Sequence, residues 1–132
     1  MDCVPFDEEH LPSVLRLCEG EGWPSFPADP ARALRALTAP GVVSVVAVEG
    51  GEVVGFAQML TDGAIQAYLC DLLVALAARG AGVGRALVAA AFARSGAKRV
   101  DTLALDESEG FYRAFRHRPL PGFRIYPLAP PG

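Results

Sequence analysis

The chain has 132 residues, a formal net charge of −3, 52% hydrophobic and 20% charged side chains. That length supports one domain with a real core and leaves no room for a separate substrate domain, and no apolar run approaches the roughly 20 residues a membrane helix needs. The charge is mild and the arginines are dispersed, unlike the basic stripe that nucleic-acid binding requires, so the expectation is one domain over residues 1–132 with neither nucleic-acid nor membrane partners.

The start Met1-Asp2-Cys3 lacks the basic and apolar zones of a signal peptide, which points to the cytoplasm. Cys3, Cys18 and Cys70 are an odd number without metal-ligand spacing, and His10 and His117 are far apart. No metal site is expected, and the thiols read as buried or idle.

In chain order, Val4 to Phe6 reads as a short strand. Asp7 then offers an N-cap to a helix whose apolar residues Leu11, Val14, Leu15 and Cys18 recur at helical spacing and which ends near Gly20. Asp29-Pro30 starts a second helix with Ala33, Leu34 and Leu37 on one face, stopped by Pro40-Gly41. Val42 to Val48 and Val53 to Leu60 flank Glu49-Gly50-Gly51-Glu52, a turn suited to a hairpin. After Thr61-Asp62-Gly63, the run from Ile65 to Val74 is nearly all apolar, as in a strand covered on both faces, with Asp71 interrupting it. A helix from Val83 to Arg94 places Val83, Leu87 and Ala90 on one side and ends at Ser95-Gly96. A strand from Val100 to Leu105, a short helix around Gly110 to Phe115, a last strand near Phe123 to Leu128 and a frayed tail over Pro127 to Gly132 complete the expectation.

The most informative stretch is Arg79-Gly80-Ala81-Gly82-Val83-Gly84-Arg85, which follows a strand and opens a helix. Glycines at alternate positions let the backbone approach a ligand, and the N–H groups of the first helical turn favour an anion. Arg79 and Arg85 bracket the loop with charge. A dinucleotide-binding fingerprint, which Asp106 at the end of the next strand imitates, needs a small residue three positions after its second glycine; Arg85 or Leu87 stands there instead. A phosphate loop for nucleotide triphosphates needs Gly-Lys-Ser/Thr, and the only lysine, Lys98, lies beyond the helix.

The loop does match the arginine-glycine-any-glycine-any-glycine signature of the GNAT superfamily of N-acetyltransferases, with Val74 five residues before Arg79, and Phe111-Tyr112-Arg113 is similar to that family's second motif. From Val42 onward the chain resembles a GNAT domain. The resemblance implies an α/β (α+β) fold with a central mixed, mostly antiparallel twisted sheet flanked by helices, its strands splayed to bind acetyl-CoA. It further implies backbone contacts from Leu72, Leu73 and Val74 to the acetyl and pantetheine amides, and pyrophosphate donors from Gly80 through Arg85. The implied reaction is direct attack of a primary amine, on a small molecule or an amino terminus, through a tetrahedral intermediate whose oxyanion needs a strand N–H near Leu73.

By position, Tyr112 is the expected acid for the leaving thiolate. Asp71 is the leading general base, against an ordered water chain or a face turned away and paired with an arginine. Glu107 and Glu109 read as a solvated helix start. The segment Glu19 to Pro27 is the expected acceptor mouth: Trp23 and Phe26 either bind the amine or anchor the loop, and Glu19 or Glu21 matches its charge. Arg116-His117 stands where the family commonly has Gly-Phe, and the chain is short for the family, which leaves the substrate side open or completed by a second subunit as a homodimer. The competing readings are a non-catalytic CoA-binding module and, behind it, a nucleotide-binding oxidoreductase fragment.

Overall fold

The computed structural model describes residues 1–128, which form two compact units, Met1–Asp101 and Thr102 onward. The first holds a five-stranded sheet in the order β1-β2-β3-β4-β5, made of β1 (Asp2–Pro5), β2 (Val42–Glu49), β3 (Glu52–Thr61), β4 (Gln66–Val74) and β5 (Arg99–Thr102), whose last residue opens the second unit. Strands β1 to β4 pair antiparallel in sequence order. The amides of Lys98 and Arg99 both donate to the Ile65 carbonyl, at 2.9 and 3.3 Å, so β5 starts beside the start of β4 and runs parallel to it. The sheet is therefore mixed and mostly antiparallel.

Period-two alternation sends Val46 and Phe56 to one face of the sheet and Val45, Ala47 and Ala57 to the other, all of them buried. The first face is covered by α1 (Leu11–Gly20), α2 (Ser25–Ala28) and α3 (Pro30–Thr38). In α1, Val14, Leu17 and Cys18 make one buried stripe and join Val46, Phe56, Leu37 and Leu73 in a single core. Asp7 caps the 3₁₀ turn Glu8–His10 that leads into α1, and Asp29 caps α3 by accepting from the Arg32 amide at 3.1 Å. Both capping aspartates are the expected ones.

The opposite face is covered by α4 (Val83–Ser95), whose buried residues Val83, Leu87, Ala91 and Ser95 fall every fourth position. Ala91, rather than the expected Ala90, lies on the packed side; Ala90 is half-buried. The helix comes close because of Gly55 in β3: a Cβ there would lie 3.0 Å from both the Leu73 carbonyl oxygen and Leu87 Cδ1. At the C-terminal end of α4, Thr61 donates its hydroxyl to the Ser95 carbonyl at 2.8 Å. Asp62 gathers the amides of Ala64, Ile65 and Gln66 in the adjoining turn, and those donors, Ile65 first, hold its carboxyl below the usual range.

Three expectations need correction. The segment Ser25–Ala28, read as loop, is a helical turn despite Pro24 and Pro27. Strand β4 is buried mainly through Ala67, Leu69 and Leu73, while Tyr68, Cys70 and Leu72 are only half-buried, so its cover on the two faces is partial rather than complete. No strand forms over Phe123 to Leu128, where Phe123, Ile125, Tyr126 and Leu128 are exposed; Pro127 removes a ladder donor from that stretch, and Pro119 and Pro121 do the same just before it. Of the expected frayed tail, residues 129–132 lie outside the described residues.

The second unit contains a 3₁₀ turn, Asp106–Ser108, and α5 (Glu109–Arg113). Phe111 is its centre, set edge-on to Tyr112 at 5.1 Å and to Phe115 at 5.3 Å between ring centroids. Arg113 pairs with Glu109 one turn earlier at 2.6 Å. His117 is exposed and its Nδ1 meets the Phe115 carbonyl at 2.8 Å.

Candidate functional site

The last four residues of β4 and the loop that follows carry most of the expected site, and a bulge sets their orientation. In the pairing of β3 with β4, Gln58 stands opposite Asp71 and Met59 opposite Leu69, so Cys70 is the extra residue. Without it Leu69 and Asp71 would share a face. With it, Leu69 joins Met59 on the side of α4, and Asp71 joins Gln58, Phe56 and Leu73 on the side of α1 and α2.

Main-chain groups follow the same alternation. The Ala75 amide donates to the Val54 carbonyl at 2.8 Å, which makes Leu73 and Asp71 the residues that turn their N–H and C=O toward β3. Leu72 and Val74 turn theirs to the outer edge. There β5 supplies only four residues against nine in β4, starting at the far end of that strand. Thus Leu72 and Val74, rather than the expected Leu73, offer N–H groups at an open edge.

Beyond Val74 the chain makes a 3₁₀ turn, Leu76–Ala78, and reaches Arg79 and the glycine loop. Gly80 and Gly82 both have φ of 82°, a left-handed conformation that side chains with a Cβ rarely adopt, and a Cβ at either would meet nothing within 4 Å. The loop is therefore an open cradle whose shape comes from backbone torsion. Gly82 is the N-cap of α4 without a side-chain cap bond, so the amides of Val83, Gly84 and Arg85 point out of the first turn, where an anion is favoured. Ala81 and Arg85 are exposed and Val83 is buried beneath the turn. The torsions and space here fit a pyrophosphate held by main-chain donors, as in CoA.

Arg79 behaves differently from its expected role. Its Nε donates to the Val74 carbonyl at 3.0 Å and its Nη2 to Glu21 Oε1 at 2.6 Å. Glu21, expected to meet an amine, is held by this arginine, with its second oxygen 3.4 Å from the Leu76 amide.

On the α1 face, Asp71, Cys18, Gly22, Trp23, Pro24, Ser25 and Phe26 line a cavity of about 250 Å³. Trp23 and Phe26 anchor the loop by packing on Phe56, with centroids at 6.3 and 5.9 Å, and they also line the cavity. Burial pushes the Cys18 thiol up to about 11, and the nearby Asp71 carboxylate adds to the shift. Cys18 therefore stays a neutral thiol at physiological pH. A carboxylate, a neutral thiol and two aromatic rings around one cavity suit a cationic or neutral amine with an apolar body.

The structure thus brings together Asp71, Leu72, Val74, Arg79, the glycine loop, Glu21, Trp23 and Phe26 within the first unit. Tyr112 lies in α5 of the second unit, half-buried against Phe111. Cys18 is the lining residue that the sequence did not point to. Cys18 was legible as a helical apolar position, and nothing in the sequence marked it as cavity lining. Among the described residues no group of three or more His, Cys, Asp or Glu is arranged to hold a metal, and no helix is long and apolar enough to cross a membrane.

The profile of the acetyltransferase (GNAT) family matches residues 9–116. No curated protein matches the chain in sequence. Among solved structures, an aminoglycoside N-acetyltransferase, AAC(6')-Iy, in complex with the bisubstrate analogue CoA-S-monomethyl-acetylneamine is 22% identical, with a TM-score of 0.79 and 97% of each chain covered. A Trypanosoma brucei acetyltransferase is 22% identical with a TM-score of 0.72, covering 96% of this chain and 99% of that one. An aminoglycoside acetyltransferase from an uncultured soil metagenomic sample, in complex with sisomicin, is 18% identical with a TM-score of 0.74, covering 97% and 96%. At these identities the likeness is one of fold.

Proposed function

The chain belongs to the GNAT acetyltransferase family and is an acyltransferase, and we propose that it transfers the acetyl group of acetyl-CoA to a primary amine of a small molecule or to an amino-terminal amine. One observation carries this reading: a single strand, β4, offers an open main-chain edge at Leu72 and Val74, ends in a phosphate cradle, and turns Asp71 into an aromatic-walled cavity. Cofactor and acceptor would meet at that strand from two directions.

Acetyl-CoA supplies the thioester whose carbonyl carbon accepts the amine. The Leu72 and Val74 edge holds the pantetheine amides and offers a fixed N–H to the oxygen that gains charge. The amides of Gly80 through Arg85 hold the pyrophosphate. Trp23 and Phe26 orient the amine, and Asp71 takes its proton. Tyr112 donates its phenol proton to the CoA sulfur as the thiolate leaves, so that the thiol departs neutral. Direct transfer needs no acyl-enzyme. We place the reaction in the cytoplasm, carried by residues 1–132 as one domain, with a homodimer as the assembly that completes an open acceptor side.

The test begins with calorimetric titration of acetyl-CoA into the protein and into Gly82→Pro, followed by a screen of alkyl and arylalkyl amines, read by release of the CoA thiol. Micromolar binding lost in Gly82→Pro, with turnover of at least one amine, is expected. Turnover in Tyr112→Phe should fall at least ~tenfold with acetyl-CoA affinity kept. Binding without turnover of any amine would instead favour a CoA-binding module.

A further inference from the structure

The arginine that opens the glycine loop gives its guanidinium to partners outside the cradle. From its place in the loop, its guanidinium joins two further pieces of the first unit: the end of β4 through the Val74 carbonyl and the segment after α1 through Glu21. Glu21 is only 18% exposed at its side chain, whereas Arg79 is 51% exposed, so the carboxylate is the more fixed partner. Its other oxygen lies toward the Leu76 amide, and two residues later stands Trp23, a wall of the acceptor cavity and the chain's only tryptophan.

We propose that Arg79 and Glu21 are a positioning pair that locks the acceptor loop to the cofactor loop, so that the wall of the amine cavity and the phosphate cradle are held by one ion pair. The proposal rests on the acetyl-CoA reading of the cradle and goes beyond it: the pair touches neither phosphate nor amine. Arg79 is then no phosphate ligand and Glu21 no amine ligand. Arginine suits the place because its fork reaches a carbonyl and a carboxylate at once, which a lysine ammonium on a flexible stem does less well.

The sign of one substitution separates this from the simpler view that Arg79 binds phosphate. If Glu21 merely competes for an arginine meant for CoA, Glu21→Gln frees that arginine, removes a nearby negative charge and tightens CoA binding. If the pair is a strut, Glu21→Gln loosens the cradle and weakens binding. We expect Glu21→Gln and Arg79→Gln each to weaken CoA binding by about fivefold, with the double variant within about twofold of either single one, because both remove the same interaction. Arg79→Lys, which keeps charge but not the fork, should fall between wild type and Arg79→Gln.

A second measurement needs no ligand. Trp23 emission should move to longer wavelength in both ligand-free single variants as the loop loosens, with circular dichroism unchanged. Should Glu21→Gln bind CoA as well as wild type or better, or Trp23 emission stay put in both variants, the strut is overturned. If wild type fails to bind CoA, the cofactor reading fails instead, and the emission of the ligand-free variants still decides whether the pair holds the loop.

Discussion

The two ends of α4 start from the same backbone geometry and serve opposite purposes. Gly82 before the helix has φ of 82° and Gly96 after it has φ of 71°. A Cβ at Gly82 would meet nothing within 4 Å, whereas at Gly96 it would lie 2.6 Å from the Gly63 carbonyl oxygen. One end is open and presents donors; the other is pressed against the β3–β4 turn and tied there by Thr61. A left-handed glycine at a helix end thus says little about purpose until the space around it is known.

The largest expected effect attacks the sealed end. Gly96→Ala combines a left-handed alanine with a backbone clash and should cost at least ~3 kcal/mol, read as a lower urea midpoint. A variant as stable as wild type would break the contrast. Midway along the helix, Gly55→Ala should cost about 2 kcal/mol, because the added Cβ would lie 3.0 Å from both the Leu73 carbonyl oxygen and the buried Leu87 side chain. At the open end, Gly82→Ala should lower acetyl-CoA affinity at least ~tenfold, about 1.4 kcal/mol, while stability falls by less, since nothing resists the loop's relaxation. Affinity unchanged there would remove the cradle from the cofactor site.

A smaller change sharpens the sealed end alone: Thr61→Val, which deprives the Ser95 carbonyl and the Gly63 amide of a partner, should cost about 1 kcal/mol with cofactor affinity intact. Cys18 provides a control on the other face of the sheet. Its folded thiol holds a proton up to about 11 against an ordinary value of 9.0, so the unfolded chain loses that proton first. Stability conferred by the neutral thiol is complete below pH 9 and is lost as pH rises toward 11. Urea midpoints across that range should fall more steeply in wild type than in Cys18→Ala, with both ends of α4 unaffected.

What was legible in the sequence was what local pattern determines. The α4 boundaries, the Gly50-Gly51 hairpin, the Asp7 and Asp29 caps and the glycine loop each follow from residues within a few positions of one another. The short helix at Ser25–Ala28 hid behind two prolines, which signal a loop as readily as a helical turn. The stretch after Pro121 has a strand's alternation, but a strand forms only with a partner, and the pattern contains no information about one. The site divides in the same way: Asp71 and the glycines stood out by type, whereas the pairing of Arg79 with Glu21 spans 58 positions and depends on how α1 meets the end of β4. Leu72 and Val74, rather than Leu73, face the open edge because of hydrogen-bond parity, which is a property of two strands.

The bulge at Cys70 has a practical consequence for anyone who wishes to change what the enzyme accepts. It restarts the count on β4, so that position 71 faces the cavity while 72 and 74 spend their backbone on the edge. A mutant library built for new acceptor scope should therefore diversify 71 together with 18, 23 and 26 and leave 70 fixed. Deleting that one residue would carry Asp71 round to the side of α4 and out of the cavity it now lines.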